Sequence, residues 1–164
     1  MPIPDQKKLL QLMEETHTKM ESVLPQVNTN KEIYPGWTIR EVLAHVTGWD
    51  EATIEALHAH IEGRPLSIPN IPDIDAYNEM SVFSRTGLDN EQVLKEWRSN
   101  RQVLRAIIEE MTVDKFSLPV NVPWGGNSTI MSMMVMFCEH EGKHTRDVQK
   151  WLQHPDKPLT EEGE

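Results

Sequence analysis

The stretch FCEHEGKHTRDV, Phe137 to Val148, decides how this chain is read. It continues a stripe of Met133, Phe137, His140, His144, Val148 and Trp151, whose steps of three and four lie on one face of an α-helix. The helix spans about 130–152, capped by Ser128 or Thr129, and turns two imidazoles towards the core. His140-Glu141-Gly142-Lys143-His144 also spells H-E-x-x-H, the zinc-protease pattern. A protease would take its third ligand downstream, and the extended form needs a His six residues past the second. That position is Lys150, and beyond His154 and Pro155 only a polar tail remains. With no second lobe to form a peptide cleft, the protease reading fails.

Working outward, the rest of the chain also reads as helix. Leu9, Met13, Met20 and Leu24 mark a first helix over 5–24, and Pro25 and Pro35 break the pattern after it. Thr38-Ile39-Arg40-Glu41 is a capping box that opens a second helix over 39–62, with Gly63 as its stop. After the Pro-rich RPLSIPNIPDID comes a short helix near 76–84. A third long helix covers 90–111, striped by Val93, Trp97, Leu104 and Ile108. SLPVNVPWGGNST is loop, and no strand pattern or repeat is evident. The fold expected is all-α: one domain over 1–164, an antiparallel four-helix bundle with one additional short helix and a polar tail over 154–164.

Composition narrows the function. Sixteen Lys and Arg against 26 Asp and Glu give a net charge of −10, which repels phosphate backbones and argues against nucleic acid. One cysteine, Cys138, excludes an internal disulfide and fits a reducing, cytoplasmic setting. No run approaches membrane-spanning length and the N-terminus has no signal core. The partners left are a small-molecule substrate and a second copy of the chain, as a homodimer.

A third metal ligand is found upstream. His45 lies in TIREVLAHVTGWD beside the apolar stripe Val42, Val46, Trp49. A lone core histidine bonded to a carbonyl would be the plain explanation. Three core-facing histidines on two helices are harder to satisfy, because helical carbonyls are already engaged; one divalent cation satisfies all three and keeps an open position.

YPGWTIREVLAHVTGWD, with CEHEGKHTRDVQKW later in the chain, resembles the DinB superfamily of metal-binding four-helix bundles, and within it the branch of the colibactin-resistance protein ClbS and of DfsB. The resemblance covers roughly 34–152. It implies a facial histidine triad for nickel, zinc or iron(II), at His45, His140 and His144. The superfamily includes thiol-dependent transferases, isomerases and hydrolases. The function expected is therefore a metal-dependent hydrolase or thiol-dependent transferase acting on a small electrophilic or toxic molecule. The alternative is a non-catalytic stress or resistance protein that sequesters such a molecule.

Further residues are candidates. Asp147, on the ligand face, is either an outer carboxylate on a ligand imidazole or a salt-bridge partner. Glu141, about a quarter-turn off that face, is either a general base or an inter-helix carboxylate. Trp49, Tyr77, Asn78 and Trp124 are placed to line a substrate pocket beneath the Pro-rich and VPWGG loops. His58 and His60 read as surface, His17 and His154 carry no signal, and Cys138 reads as buried and inert.

Overall fold

The computed structural model describes residues 2–67 and 73–160; the middle of the Pro-rich loop, 68–72, expected to help cover the site, lies outside them. The elements are α1 (Pro4–Val23), α2 (Ile39–Glu62), α3 (Ile74–Phe83), α4 (Asn90–Glu110), α5 (Val113–Ser117) and α6 (Ile130–Trp151), with a 3₁₀ turn at Leu24–Gln26. A hairpin of two-residue strands, β1 (Val120–Asn121) and β2 (Asn127–Ser128), pairs Val120 with Ser128 and Asn121 with Asn127. The four long helices form where periodicity puts them. The additions, α5 and the hairpin, are too short to carry a period. Gly125 (φ 104°) and Gly126 (φ 80°) turn the hairpin, and Val122 N donates to Gly126 O at 3.1 Å.

Local chemistry sets the ends. Glu41 Oε1 accepts from Thr38 N at 2.9 Å, and Gly63 closes α2 in the left-handed region at φ 66°. Asp89 and Gln92 exchange reciprocal bonds of 2.9 Å at the start of α4. At α6 the cap is Thr129, which accepts from Ser132 N at 3.0 Å.

Two apolar clusters show how the helices run. One joins Leu9 and Met13 of α1, Ala56 and Leu57 of α2, Leu104 and Ile108 of α4, and Ile130 to Met134 of α6. The other joins Met20 and Val23, Val42 to Val46, Val93 and Trp97, and Val148 and Trp151. Hence α1 and α6 run one way and α2 and α4 the other: antiparallel between the pairs and parallel within each. The parallel α2–α4 pair requires the chain to return along the bundle, and the 63–89 segment carrying α3 makes that crossover. Backbones approach closely between α2 and α4, α1 and α6, and α1 and α4, and much less between α2 and α6. That wider seam is filled by side chains.

On the outside of α2, α3 seats against a glycine. Tyr77 donates its hydroxyl to Gly48 O at 2.8 Å, and a Cβ on Gly48 would stand 2.1 Å from Ser81 Oγ and 2.4 Å from Ser81 Cβ. Gly48→Ala is expected to lower stability by about 1–3 kcal/mol through this overlap. In urea unfolding the double variant Gly48→Ala/Ser81→Gly should be more stable than Gly48→Ala alone; a double variant that is less stable would contradict this packing.

Candidate functional site

Between the two apolar clusters lies a polar layer. Each long helix crosses it with groups belonging to neither cluster: Thr16 and His17 on α1, Asp50 on α2, Arg101 on α4, and Glu141 and His144 on α6. Arg101 is its hinge. It meets Asp50 through Nε–Oδ2 and Nη2–Oδ1 contacts of 3.3 and 3.2 Å, and it meets Glu141 Oε2 at 2.5 Å. Trp97 Nε1 donates to the other Glu141 oxygen at 3.0 Å. Asp50 and Glu141 are fully buried. Burial outweighs the guanidinium at Asp50 and pushes its carboxyl up to about 7.

On the α2 side of this layer three imidazoles meet. His45, His140 and His144 each offer a ring nitrogen, and these nitrogens lie within 4.8 Å of one another. His140 Nε2 stands 3.1 Å from His45 Nε2 and 3.1 Å from His144 Nε2. Ligands about 2.0–2.1 Å from one ion at tetrahedral or octahedral angles stand roughly 2.8–3.4 Å apart, and the two spacings at His140 fall in that range. His45 is fully buried, and burial, then the neighbouring His140, push its pKa down to about 3, so it is neutral at physiological pH.

Behind His144 is a residue the sequence reading did not single out. Tyr34 OH lies 2.9 Å from His144 Nδ1 and 2.7 Å from Asp147 Oδ2. An ionised carboxylate only accepts, so the single phenol proton goes to Asp147, and the phenol oxygen accepts from His144 Nδ1–H. The His144 tautomer is thereby set, with the lone pair on Nε2 facing the cluster. Burial and Asp147 hold the Tyr34 phenol above its ordinary pKa, which keeps the proton in place. Asp147 is thus linked to the imidazole through Tyr34. A tight turn positions the tyrosine: Pro35 at its second place, Gly36 at its third with φ 81°, and Trp37 N donating to Tyr34 O at 2.9 Å. Trp37 then packs on His45, ring centroids 5.2 Å apart. The clue in the sequence was the Pro-Gly pair between two aromatics just ahead of the His45 helix.

A cavity of about 380 Å³ opens onto His45 and His140, walled by Trp49, Ile74, Trp124, Met133, Met136 and Phe137. Of the expected pocket residues, Trp49, Asn78 and Trp124 border it. Trp49 Nε1 donates to Asn78 Oδ1 at 2.7 Å, and the Trp49 and Trp124 rings meet at 6.3 Å and 64°. Tyr77 packs on Trp49 at 4.7 Å and bonds to the α2 backbone, holding the wall rather than lining it. Glu141, a candidate base, has both oxygens on Trp97 and Arg101, and neither Glu141 nor Asp147 borders the cavity.

His17, which carries no signal in the sequence, and His60, expected at the surface, both have structural work. His17 stacks on Trp97 at 4.5 Å, and half-buried His60 meets Lys115 O at 2.6 Å, tying α2 to α5. His58 is exposed. Cys138 is buried, which pushes its thiol up to about 11. Arg101→Met leaves two buried carboxylates without their counter-charge and is expected to cost about 3–5 kcal/mol. Adding Asp50→Asn and Glu141→Gln should recover much of this in thermal or urea unfolding. Arg101→Met as stable as the wild type would contradict the role given to this group.

Comparisons with known proteins agree with this architecture. Residues 9–149 match the family model of the mycothiol maleylpyruvate isomerase N-terminal domain. The crystal structure of a mycothiol-dependent maleylpyruvate isomerase superposes with a TM-score of 0.74 at 17% identity, covering 89% of this chain and 61% of the isomerase chain. An uncharacterised protein from Escherichia coli UTI89 gives 0.76 at 15% identity, covering 96% and 98% of the two chains. YfiT from Bacillus subtilis, described as a probable metal-dependent hydrolase with an unusual four-helix bundle topology, gives 0.69 at 17% identity and covers 94% and 89%. No curated protein sequence matches. At these identities the structural likenesses speak for the fold alone, and nothing in them speaks for the ClbS- and DfsB-related branch. The family match covers most of the chain: it belongs to the mycothiol maleylpyruvate isomerase N-terminal domain family, with a DinB-like four-helix bundle fold.

Proposed function

We propose that the chain holds one divalent metal ion at His45, His140 and His144, and that it is an enzyme acting on a small electrophilic molecule in the adjoining cavity, by hydrolysis or by thiol transfer. The observation carrying this reading is the convergence of three ring nitrogens, with two Nε2–Nε2 spacings of 3.1 Å, at the end of a cavity. The donor set fits the group: three neutral nitrogen ligands suit zinc, nickel or iron(II), and three protein ligands leave positions open. When bound, such an ion supplies Lewis acidity beside the cavity, which serves water activation and thiol activation alike. The likenesses to a thiol-dependent isomerase and to a protein described as a probable metal-dependent hydrolase support both forms of the reading.

The chain's own residues then have distinct tasks. Tyr34 and Asp147 orient His144. Trp49 and Trp124 wall the cavity and exclude water, with Asn78 and Tyr77 holding Trp49 in place. Glu141 is committed to Arg101 and Trp97, so its part is to fix the rotation of α6 rather than to move a proton.

Metal-loaded protein should contain about one ion per chain by elemental analysis and turn over ester or thiol-acceptor substrates beyond one equivalent. His144→Ala and His45→Ala should lose both properties, and a chelator should abolish turnover. Full activity with His144→Ala or after chelation would contradict the proposal, and protection without turnover would point to sequestration. Tyr34→Phe removes the acceptor from His144 Nδ1–H and is expected to weaken metal affinity about 10–100-fold in a competitive titration, with the fold intact. Unchanged affinity would show that the link through Tyr34 does not act on the ligand.

A further inference from the structure

The peptide unit that carries Tyr34 is held from both sides. Its N–H, on Tyr34, donates to Trp37 O at 3.3 Å across the Pro35-Gly36 turn, and its carbonyl, Ile33 O, accepts from Leu159 N at 2.7 Å. Leu159 belongs to the segment that the sequence presents as a polar tail. Two successive turns lead this segment off the end of α6, with His154 N on Trp151 O at 2.9 Å and Lys157 N on His154 O at 3.5 Å. Pro155 and Pro158 restrict its backbone, which lowers the entropy lost when it docks. Apart from those prolines, Leu159 is the one apolar side chain between 154 and 160. It is partly buried and packs on the apolar cluster that contains Ile33, Tyr34 and Trp151. The other link, Lys31 Nζ to Asp156 Oδ1 at 3.0 Å, joins two exposed side chains and contributes little. Leu159 is therefore the anchor.

We propose that residues 154–160 form a strap that holds the Tyr34 turn closed, and that Leu159 is a positioning residue for His144, acting through the Ile33–Tyr34 peptide and the Tyr34 hydroxyl. Ile33 and Tyr34 are buried. Without Leu159 N, the Ile33 carbonyl must either stay buried with no donor or turn outward to water. Turning it rotates the peptide plane, and the Tyr34 ring with it, away from His144 Nδ1 and Asp147 Oδ2. None of these described strap residues borders the cavity, so the strap reaches the site along this path. The effect on metal affinity rests on the reading that His144 is a ligand; the effect on the imidazole itself does not.

The test uses the full chain and three variants. Leu159→Pro removes the N–H, Leu159→Ala keeps it and trims the side chain, and Leu159→Met is the conservative control. Nitrogen NMR of the histidine rings reads the His144 tautomer in metal-free protein, and a competitive titration reads zinc affinity. Wild-type His144 should show one tautomer, with its proton on Nδ1, and Leu159→Pro should show a mixture. Zinc affinity of Leu159→Pro should fall about three- to tenfold, less than for Tyr34→Phe, because the strap acts through Tyr34. Leu159→Ala should fall between, and Leu159→Met should match the wild type. The double variant Leu159→Pro/Tyr34→Phe should lose no more affinity than Tyr34→Phe alone, since both changes act along one path. An unchanged His144 tautomer in Leu159→Pro, or losses that multiply in the double variant, would overturn the proposal. Failure of the wild type to bind zinc at the histidines would defeat the proposed function, while the tautomer comparison would still decide the role of the strap.

Discussion

The structure depends on a buried guanidinium. Arg101 of α4 holds Asp50 of α2 and Glu141 of α6 in the one polar layer between two apolar clusters. A charge taken out of water is costly unless it is met by opposite charge and hydrogen bonds. This one is met from two other helices, and the tryptophan of α4 completes Glu141. The arrangement specifies more than it stabilises. With Glu141 held on the α4 side, α6 has one rotation, and in that rotation His140 and His144, one residue before and three after, turn towards His45.

The imidazole site results from that rotation and from the wider seam between α2 and α6. A close backbone approach there would leave no room for three rings. Side chains fill the space instead, and the segment before α2 finishes it. The Pro35-Gly36 turn sets Tyr34 against His144 and Trp37 against His45. One end of the cluster is closed by buried aromatic and hydrogen-bonded groups, and the other meets the cavity. Arg101, Asp50 and Glu141 concentrate charge in the layer behind Phe137, and no charged side chain among the described residues borders the cavity in front of it.

Much of this was legible in the residues. Stripes at helical spacing located all four long helices, and the capping box at Thr38 placed the start of α2 at Ile39. His45, His140 and His144 could be grouped because each sat on a core-facing stripe, where a polar ring needs a partner. Other features were not legible, for physical reasons. Five-residue α5 and two-residue strands have no period to detect. The parallel pairing of α2 with α4 depends on where a linker runs, which periodicity does not encode. The layer of Asp50, Arg101 and Glu141 was hidden because charged residues near a stripe look like a solvated edge until a partner from another helix is known. Glu141 shows this well: the same quarter-turn offset that allowed a general base carries it to Arg101. Tyr34 was missed for want of any helical pattern around it, although the turn beside it was visible.

The most direct measurement is anomalous diffraction at the metal absorption edge from crystals grown with zinc or nickel. A single strong peak is expected about 2.0–2.2 Å from ring nitrogens of His45, His140 and His144, with the cavity side open to water. No peak there, or a peak elsewhere with these three imidazoles turned apart, would contradict a metal centre at this site.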